Sequence, residues 1–346
     1  MDTSGTIPIP GSPAVTETGA LTATTAVPRP APSGLRAWLR LLRIHQWSKG
    51  AFVFVGPVYG QALLGWQQWL SVTAAFLAFG AASSGCYIVN DFMDREADRA
   101  HPRKRTRPLA AGTIAVSTAL AVAALCLLLG LALPWVAMLL GGQTSGPRSE
   151  FLGSALTSGC VALYIGNTMA YSIRVKHVVI SDVMSLSLGF VLRVLGGCAV
   201  VMVEPSTWLL NVTLFLAMFL AFGKRLGERR AMGDARAASA RVVQAEYTGE
   251  LLRMVVVVTA VACLVTYAVY VASAPARLTV GFNLLWLTMM PATYGLLRAI
   301  HLLEKGTYDD PTELAVKDRP FQFAAALFGL ITLVVMWVGH SGALKV

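Results

Sequence analysis

Long apolar stretches repeat along this chain of 346 residues, and they constrain its fold more than any other feature. Only 13% of the residues are charged, whereas a typical soluble domain has about 25%. A run of roughly 20 apolar residues is long enough to cross a bilayer as an α-helix. The sequence therefore predicts an all-α integral membrane protein with nine transmembrane helices, over 50–65, 69–90, 114–140, 151–171, 178–202, 206–223, 252–274, 279–301 and 320–340.

Two segments precede the predicted transmembrane domain of residues 50–346. Residues 1–33 are rich in Pro, Thr, Ala and Ser and lack the basic and apolar regions of a signal peptide, so they are predicted to be a disordered cytosolic tail. Residues 34–49 are predicted to form an interfacial amphipathic helix. Its two faces would carry Leu35, Trp38, Leu39, Leu42 and Trp47 on one side and Arg36, Arg40 and Arg43 on the other.

The distribution of basic residues predicts the orientation of the chain. Nearly all of its 28 Lys and Arg residues fall in the N-terminal region or in alternate loops, which the positive-inside rule places in the cytosol. Their position in short loops between apolar runs indicates contact with anionic lipids or a phosphorylated substrate, not with nucleic acid. The five cysteines lie inside apolar segments and are interpreted as core residues. A multi-pass protein of the plasma membrane is expected.

Acidic residues gather where the second predicted span ends. Asp91, Asp94 and Asp98 are spaced i, i+3, i+7, which places them on one stripe of a helix. Carboxylates this close repel one another unless a cation lies among them, and Mg²⁺ uses such oxygen ligands to hold a diphosphate. The alternative is a polar helix end paired with nearby arginines. Asn90 precedes these acids, and a basic run of Arg103, Lys104, Arg105 and Arg107 follows them.

Three further polar groups lie within predicted spans or at their ends. Lys176 could bind phosphate and Asp182 a second cation, or the pair could be an ordinary basic loop with a capping residue. Arg193 follows Asp182 by eleven residues, close to three helical turns, so both can face one cavity, and a structural ion pair is the alternative. Lys224 and Arg225 could contact phosphate or only anchor the helix at the headgroups.

Two of these patterns resemble the signatures of the UbiA superfamily of membrane prenyltransferases. The first is Asn90-Asp91-x-x-Asp94-x-x-x-Asp98, which Lys104-Arg105-x-Arg107-Pro108-Leu109-Ala110-Ala111-Gly112 extends. The second is Tyr171-Ser172-x-x-x-Lys176-x-x-x-x-x-Asp182. The resemblance implies a UbiA-like bundle of nine transmembrane helices whose active site faces the cytosol.

Within the superfamily the chain resembles the branch that transfers phosphoribose to a polyprenyl phosphate. One departure is Gly50, where that branch is expected to have Asn. Another is the single Asp182, where prenyl-diphosphate enzymes often have two aspartates, and this argues against a prenyl diphosphate donor. The finer resemblance rests on Arg43-x-x-Gln46-Trp47-x-Lys49, Gly189-Phe190-x-x-Arg193, Gly196-Gly197, Gly223-Lys224-Arg225-x-x-Glu228 and Asp318-Arg319.

The resemblance implies Mg²⁺-dependent transfer of 5-phosphoribose from 5-phosphoribosyl diphosphate (PRPP) to a polyprenyl phosphate such as decaprenyl phosphate. Diphosphate is released, and the product serves cell-wall arabinan synthesis. The implied metal ligands are Asn90, Asp91, Asp94 and Asp98, and the implied catalytic residues are Asp91, Asp94, Tyr171 and Lys176. The implied substrate-binding residues are Arg43, Gln46, Lys49, Lys104, Arg105, Arg107, Asp182, Arg193, Lys224 and Arg225.

Two other functions compete with this interpretation. The first is transfer of a prenyl chain from a prenyl diphosphate to an aromatic acceptor, for which the same first motif would serve. The second is a transporter or binding protein for lipid phosphates that catalyses no reaction. The sequence leaves the prenyl chain length and a homo-oligomeric state open.

Overall fold

Helices account for almost all of the regular structure in the computed structural model. It describes residues 34–63, 65–101, 104–141, 147–232, 246–273, 279–280, 282–306 and 317–341, so the predicted tail of residues 1–33 lies outside the described part. The α-helices are α1 (Gly34–Leu42), α2 (Phe52–Tyr59), α3 (Trp66–Met93), α4 (Arg95–Ala100), α5 (Val116–Gly141), α6 (Pro147–Ile173), α7 (Ser181–Val200), α8 (Thr207–Met232), α9 (Gly249–Ala272), α10 (Met289–Lys305) and α11 (Arg319–Ser341).

Six helices of the described chain are long and apolar enough to cross a membrane, namely α3, α5, α7, α8, α9 and α11. Helix α6 has 27 residues and packs between α5 and α7. Its apolar character is diluted by polar side chains that bond to backbone carbonyls, among them those of Ser154 and Ser158. These helices confirm the prediction of an all-α, multi-pass membrane protein.

The predicted count of nine spans is not confirmed in the described residues, because two predicted spans are not continuous helices. In 50–65 the α-helix covers only Phe52–Tyr59, which is about 12 Å long. It follows a 3₁₀ helix over Ile44–Ala51. In 279–301 a short antiparallel pair of strands, β1 (Thr279–Val280) and β2 (Phe282–Asn283), and a 3₁₀ helix (Leu284–Thr288) precede α10.

The predicted amphipathic segment 34–49 divides into two elements at Arg43, whose φ is 51°. Helix α1 buries Ala37 and Leu41 against α3 and the start of α5. The Trp47 indole then donates a 3.0 Å hydrogen bond to Ser84 on α3, and the Ser84 hydroxyl donates to the Leu42 carbonyl at 2.7 Å. These contacts hold residues 34–49, the entry segment, beside α3, while its interfacial role stays a prediction.

The polar ends of α3, α6, α7 and α8 meet at one end of the bundle. Lys176, between α6 and α7, contacts Asp94 at the end of α3, and Asp182 at the start of α7 contacts Arg225 near the end of α8. Helices α3, α6 and α8 end there and α7 begins there, so residues far apart in the sequence meet.

Helices α2 and α7 approach each other closely at Gly197. A Cβ atom added at this glycine would lie 1.9 Å from the Val53 carbonyl oxygen, so backbone has to move to accommodate it. Gly197→Ala is therefore expected to destabilise the protein by about 2 kcal/mol or more, measured by thermal unfolding in detergent. Gly166→Ala on α6 is the matched control, since nothing lies within 4 Å of a Cβ there. Equal melting temperatures for the two variants would contradict the close approach.

Candidate active site

Two of the three predicted carboxylates are buried and share one arginine. Asp91 lies in the last turn of α3 and Asp98 lies in α4, and both are less than 5% exposed. Arg107 Nη1 donates to Asp91 Oδ1 at 3.1 Å and to Asp98 Oδ2 at 2.7 Å. Arg43 Nη2 donates to the same Asp91 oxygen at 2.6 Å. The guanidinium of Arg107 thus joins α3 to α4, and Arg43 joins the entry segment to α3.

Asp94 differs from the two buried acids. It lies between α3 and α4, so the predicted stripe runs across a break and not along one helix. Its side chain is 34% exposed. One oxygen accepts a 3.1 Å hydrogen bond from Asn90 Nδ2, and the other accepts from Lys176 Nζ at 3.2 Å. Asp94 is therefore the carboxylate of this group that an incoming ligand reaches most readily.

The charges of this cluster balance. Three carboxylates face three cations, Arg43, Arg107 and Lys176. Buried carboxylates need such partners, because an uncompensated buried charge costs several kcal/mol. The cluster therefore contains both kinds of charged group that bind a metal diphosphate. Its carboxylates can bind the metal ion, and its arginine and lysine side chains can bind the phosphates.

The cluster fits Mg²⁺ by its chemistry, though not as a preformed cage. Within the described residues no three His, Cys, Asp or Glu side chains are arranged to hold a metal ion, so the predicted ligand set is not assembled. The available donors are carboxylate and amide oxygens, which suit a hard cation, and Mg²⁺ is usually bound by one or two carboxylates together with substrate phosphates. The residues that offer these oxygens are Asn90, Asp91, Asp94 and Asp98.

Asp182 is the centre of a second ion-pair cluster. It is 1% exposed in the first turn of α7, and its Oδ2 accepts from Arg225 Nε at 3.2 Å and Nη2 at 3.1 Å. Arg225 also donates to the Tyr171 hydroxyl at 3.4 Å and to Glu228 at 3.2 Å. The other oxygen, Oδ1, accepts a 2.7 Å hydrogen bond from Tyr247. Both oxygens are occupied in this structure, and the suggestion that Asp182 holds a second cation stays a prediction.

Tyr247 is a site residue that the sequence reasoning missed. It lies just before α9, is fully buried, and packs its ring edge-on against Phe222. Its hydroxyl accepts a 2.7 Å hydrogen bond from the Ile180 backbone N–H as well as donating to Asp182. Burial and then the bond to Asp182 raise the pKa of Tyr247, so the phenol stays protonated and keeps donating. A single tyrosine 65 residues away from its partner leaves no local sequence signal.

Arg193 and Asp182 have no described hydrogen-bond partner in common, and the cavity that they were predicted to share stays a prediction. Arg193 is 6% exposed and donates to the Gly189 carbonyl at 2.7 Å, the Tyr164 hydroxyl at 3.0 Å and Ser83 Oγ at 3.3 Å. Its guanidinium carbon lies 4.5 Å from the centre of the Tyr164 ring. The charge is accommodated by neutral acceptors and aromatic faces in the bundle interior.

The remaining predicted residues lie around the two clusters. Lys104 is half-buried and Arg105 exposed on the 3₁₀ helix Lys104–Thr106, while Arg103 lies outside the described residues. Gln46 and Lys49 are half-buried on the 3₁₀ helix that follows Arg43. Lys224 is exposed on α8, next to Arg225. They are close in sequence to members of the two clusters, and their contact with substrate stays a prediction.

A helical membrane bundle with paired acids and bases at one end defines a class of membrane-embedded proteins with a polar site at that end. The sequence profile described as the UbiA prenyltransferase family matches residues 51–327. The chain belongs to this family.

Its curated relatives include phosphoribosyltransferases. The chain is 30% identical over 334 residues to the decaprenyl-phosphate phosphoribosyltransferase of Mycolicibacterium smegmatis, covering 92% of this chain and 95% of the relative. It is 29% identical to the enzyme of the same name from Corynebacterium glutamicum, covering 87% and 86%. The predicted resemblance to this branch is confirmed.

The fold is also found among solved structures. A UbiA homologue from Archaeoglobus fulgidus, solved bound to GPP and Mg²⁺, has a TM-score of 0.59 at 16% identity. The match covers 90% of this chain and 100% of that one. The likeness confirms the UbiA fold, and a divalent cation is present in that relative.

Proposed function

We propose that this protein transfers 5-phosphoribose from PRPP to a polyprenyl phosphate such as decaprenyl phosphate and releases diphosphate. The observation that carries the proposal is the convergence of Arg43, Arg107 and Lys176 on Asp91, Asp94 and Asp98. It supports binding of a phosphorylated substrate together with a divalent cation. The names of full-length relatives support phosphoribosyl transfer within that class.

The ion pairs allow substrate to bind by exchange of partners. Arg107 and Lys176 turn from the carboxylates to phosphate oxygens, with Lys104 and Arg105 available for the 5-phosphate. Arg and Lys form their strongest hydrogen bonds with carboxylate or phosphate, so each exchange replaces one ion pair by another. Asp94, with Asn90, Asp91 and Asp98, would hold Mg²⁺, which would supply positive charge for the departing diphosphate.

The acceptor needs little activation by the protein. A phosphate monoester is already anionic at neutral pH, so its oxygen attacks the anomeric carbon without a strong general base. The bond from that carbon to diphosphate breaks, and the electron pair leaves with diphosphate. Catalysis then depends on alignment and on charge stabilisation in the transition state. Arg43, Gln46 and Lys49 receive the lipid phosphate, while Tyr171 and Lys176 face the diphosphate.

The second cluster favours a phosphoribosyl donor over a prenyl diphosphate. Asp182 is held by Arg225 and Tyr247, and all three residues are buried, so this cluster is not open to a ligand as it stands. A second metal ion would have to displace both partners, which is consistent with a donor other than a prenyl diphosphate. Prenyl transfer to an aromatic acceptor is the alternative function. The description of the family as prenyltransferases supports it.

The proposal includes a location and an orientation. The strong bias of Lys and Arg toward one end of the bundle supports a cytosolic site and N-terminus in the plasma membrane. A water-soluble donor would enter from the cytosol, and the lipid acceptor would arrive from the leaflet. The product would supply cell-wall arabinan synthesis.

A lipid-extraction assay tests the proposed function. Membranes containing the protein are given PRPP labelled in the ribose ring, polyprenyl phosphate and Mg²⁺, and the organic phase is counted. We expect label in the lipid only when all three reagents are present, and removal of divalent cations with EDTA should abolish it. A parallel reaction supplies a labelled prenyl diphosphate and an aromatic acceptor. Turnover there, without transfer from PRPP, would replace the proposal by prenyl transfer.

A further inference from the structure

The connection between α6 and α7 contains a strained turn. Ile180 has φ 67° and ψ −46°, and the Ser181 N–H donates to the Val179 carbonyl at 2.7 Å. This is the classic γ-turn, a rare and strained conformation, and a β-branched residue is especially unsuited to a positive φ. The Ile180 side chain is 51% exposed, so its packing does not explain the conformation.

Tyr247 holds this turn from another part of the chain. Its hydroxyl accepts the Ile180 N–H and donates to Asp182, both at 2.7 Å, so one oxygen bridges the turn and the start of α7. The tyrosine is itself fixed by complete burial and by a hydrogen bond from Arg229 to its carbonyl. A rigid contact of this kind can keep a strained backbone in place.

The turn lies immediately beyond a residue of the site. Lys176 is in the 3₁₀ helix Val175–His177, four residues before Ile180, and its Nζ is 3.2 Å from Asp94 Oδ1. The path of the chain from Lys176 to α7 passes through the γ-turn, so relaxation of Ile180 would shift Lys176 relative to α3. An error of about 1 Å in the placement of such a group can lower a rate 10²-fold.

We propose that Tyr247 is a positioning residue, whose hydroxyl keeps Ile180 in the strained turn and so places Lys176 against Asp94. The inference rests on the proposed role of Lys176 in binding the diphosphate. Tyr247 lies outside both UbiA signatures, and Ile180 occupies an unspecified position of the second. The inference also predicts that a glycine at position 180, which tolerates a positive φ, reduces the dependence on Tyr247.

The test compares Tyr247→Phe, Ile180→Gly and the double variant in the labelled-PRPP assay, with rates expressed per folded protein. Tyr247→Phe should lower kcat by about 10- to 100-fold, while the KM for polyprenyl phosphate changes less than about 2-fold. In the Ile180→Gly background the same change should cost less than about 3-fold. Tyr294→Phe on α10, an exposed tyrosine, is the matched control and should leave transfer unchanged.

Hydrogen exchange supplies a readout that does not depend on turnover. The Ile180 amide should exchange at least about 10-fold faster in Tyr247→Phe than in the unchanged protein, because it loses its acceptor. If the unchanged protein transfers no label, the proposed function fails while the exchange result still stands. If it transfers label and Tyr247→Phe is fully active, or if Ile180→Gly leaves the loss undiminished, the positioning role is overturned.

Discussion

Asp94→Asn is expected to lower phosphoribosyl transfer by about 10²–10³-fold, the usual loss when one preorganised electrostatic group is removed. Asp94 is the most exposed carboxylate of the cluster and bonds to both Asn90 and Lys176. Asparagine keeps the size and one acceptor oxygen but removes the charge needed by Mg²⁺. The measurement is the rate of label transfer to lipid as Mg²⁺ is titrated, and the variant should require more metal for its residual activity.

Glu96→Gln is the matched control for that change. Glu96 lies two residues away on α4, its side chain is 81% exposed, and its described partner is Arg99. The same loss of charge should therefore leave transfer within about 2-fold of the unchanged protein, as expected for an exposed ion pair. Full activity and unaltered Mg²⁺ dependence in Asp94→Asn would remove Asp94 from the proposed mechanism.

Arg225→Met is expected to lower the free energy of unfolding by about 3–5 kcal/mol. The side chains of Arg225 and Asp182 are 7% and 1% exposed, so the substitution leaves a buried carboxylate with Tyr247 as its described partner. A buried charge without its counter-ion is far more costly than the loss of a surface ion pair. Chemical or thermal unfolding of the purified protein in detergent measures the effect.

Arg253→Met makes the same chemical change at an exposed ion pair. Arg253 is 57% exposed and lies 3.5 Å from Glu304, so we expect a loss below about 1 kcal/mol. A second variant, Arg225→Met with Asp182→Leu, removes both buried charges and should recover much of the lost stability. Equal losses in Arg225→Met and Arg253→Met, or no recovery in the double variant, would contradict the buried ion pair.

Apolar run length predicted the helical membrane fold but did not reveal where helices are interrupted. The runs over 69–90 and 114–140 correspond closely to α3 and α5. The run over 50–65 is also apolar, yet its α-helix ends at Tyr59, shortly after Pro57. Hydropathy indicates that a segment is suited to burial in lipid or protein. It does not indicate whether the backbone is helical along the whole segment.

The site was predictable where its residues are close in sequence. The spacing of Asp91, Asp94 and Asp98 indicated a shared location, and the structure joins the outer two through Arg107. Partners separated by a whole helix were not predictable, as Tyr247 shows. The position of Arg193 within an apolar run predicted that it lies inside the bundle. Its partners on α3 and α6 were not predictable, because they depend on how the helices pack. The roles of the site residues in catalysis stay predictions.

The buried guanidinium of Arg193 has a consequence for how the protein enters the membrane during synthesis. An arginine near the centre of a span opposes insertion by about 2.5–3.5 kcal/mol when the helix meets lipid alone. The hydroxyl partners of Arg193 are Ser83 and Tyr164, on α3 and α6, and both helices leave the ribosome before α7. We therefore expect α7 to leave the translocon against helices that are already in place. Because α3 and α6 precede α7 in the sequence, the polar partners of Arg193 are present in the membrane when α7 is inserted.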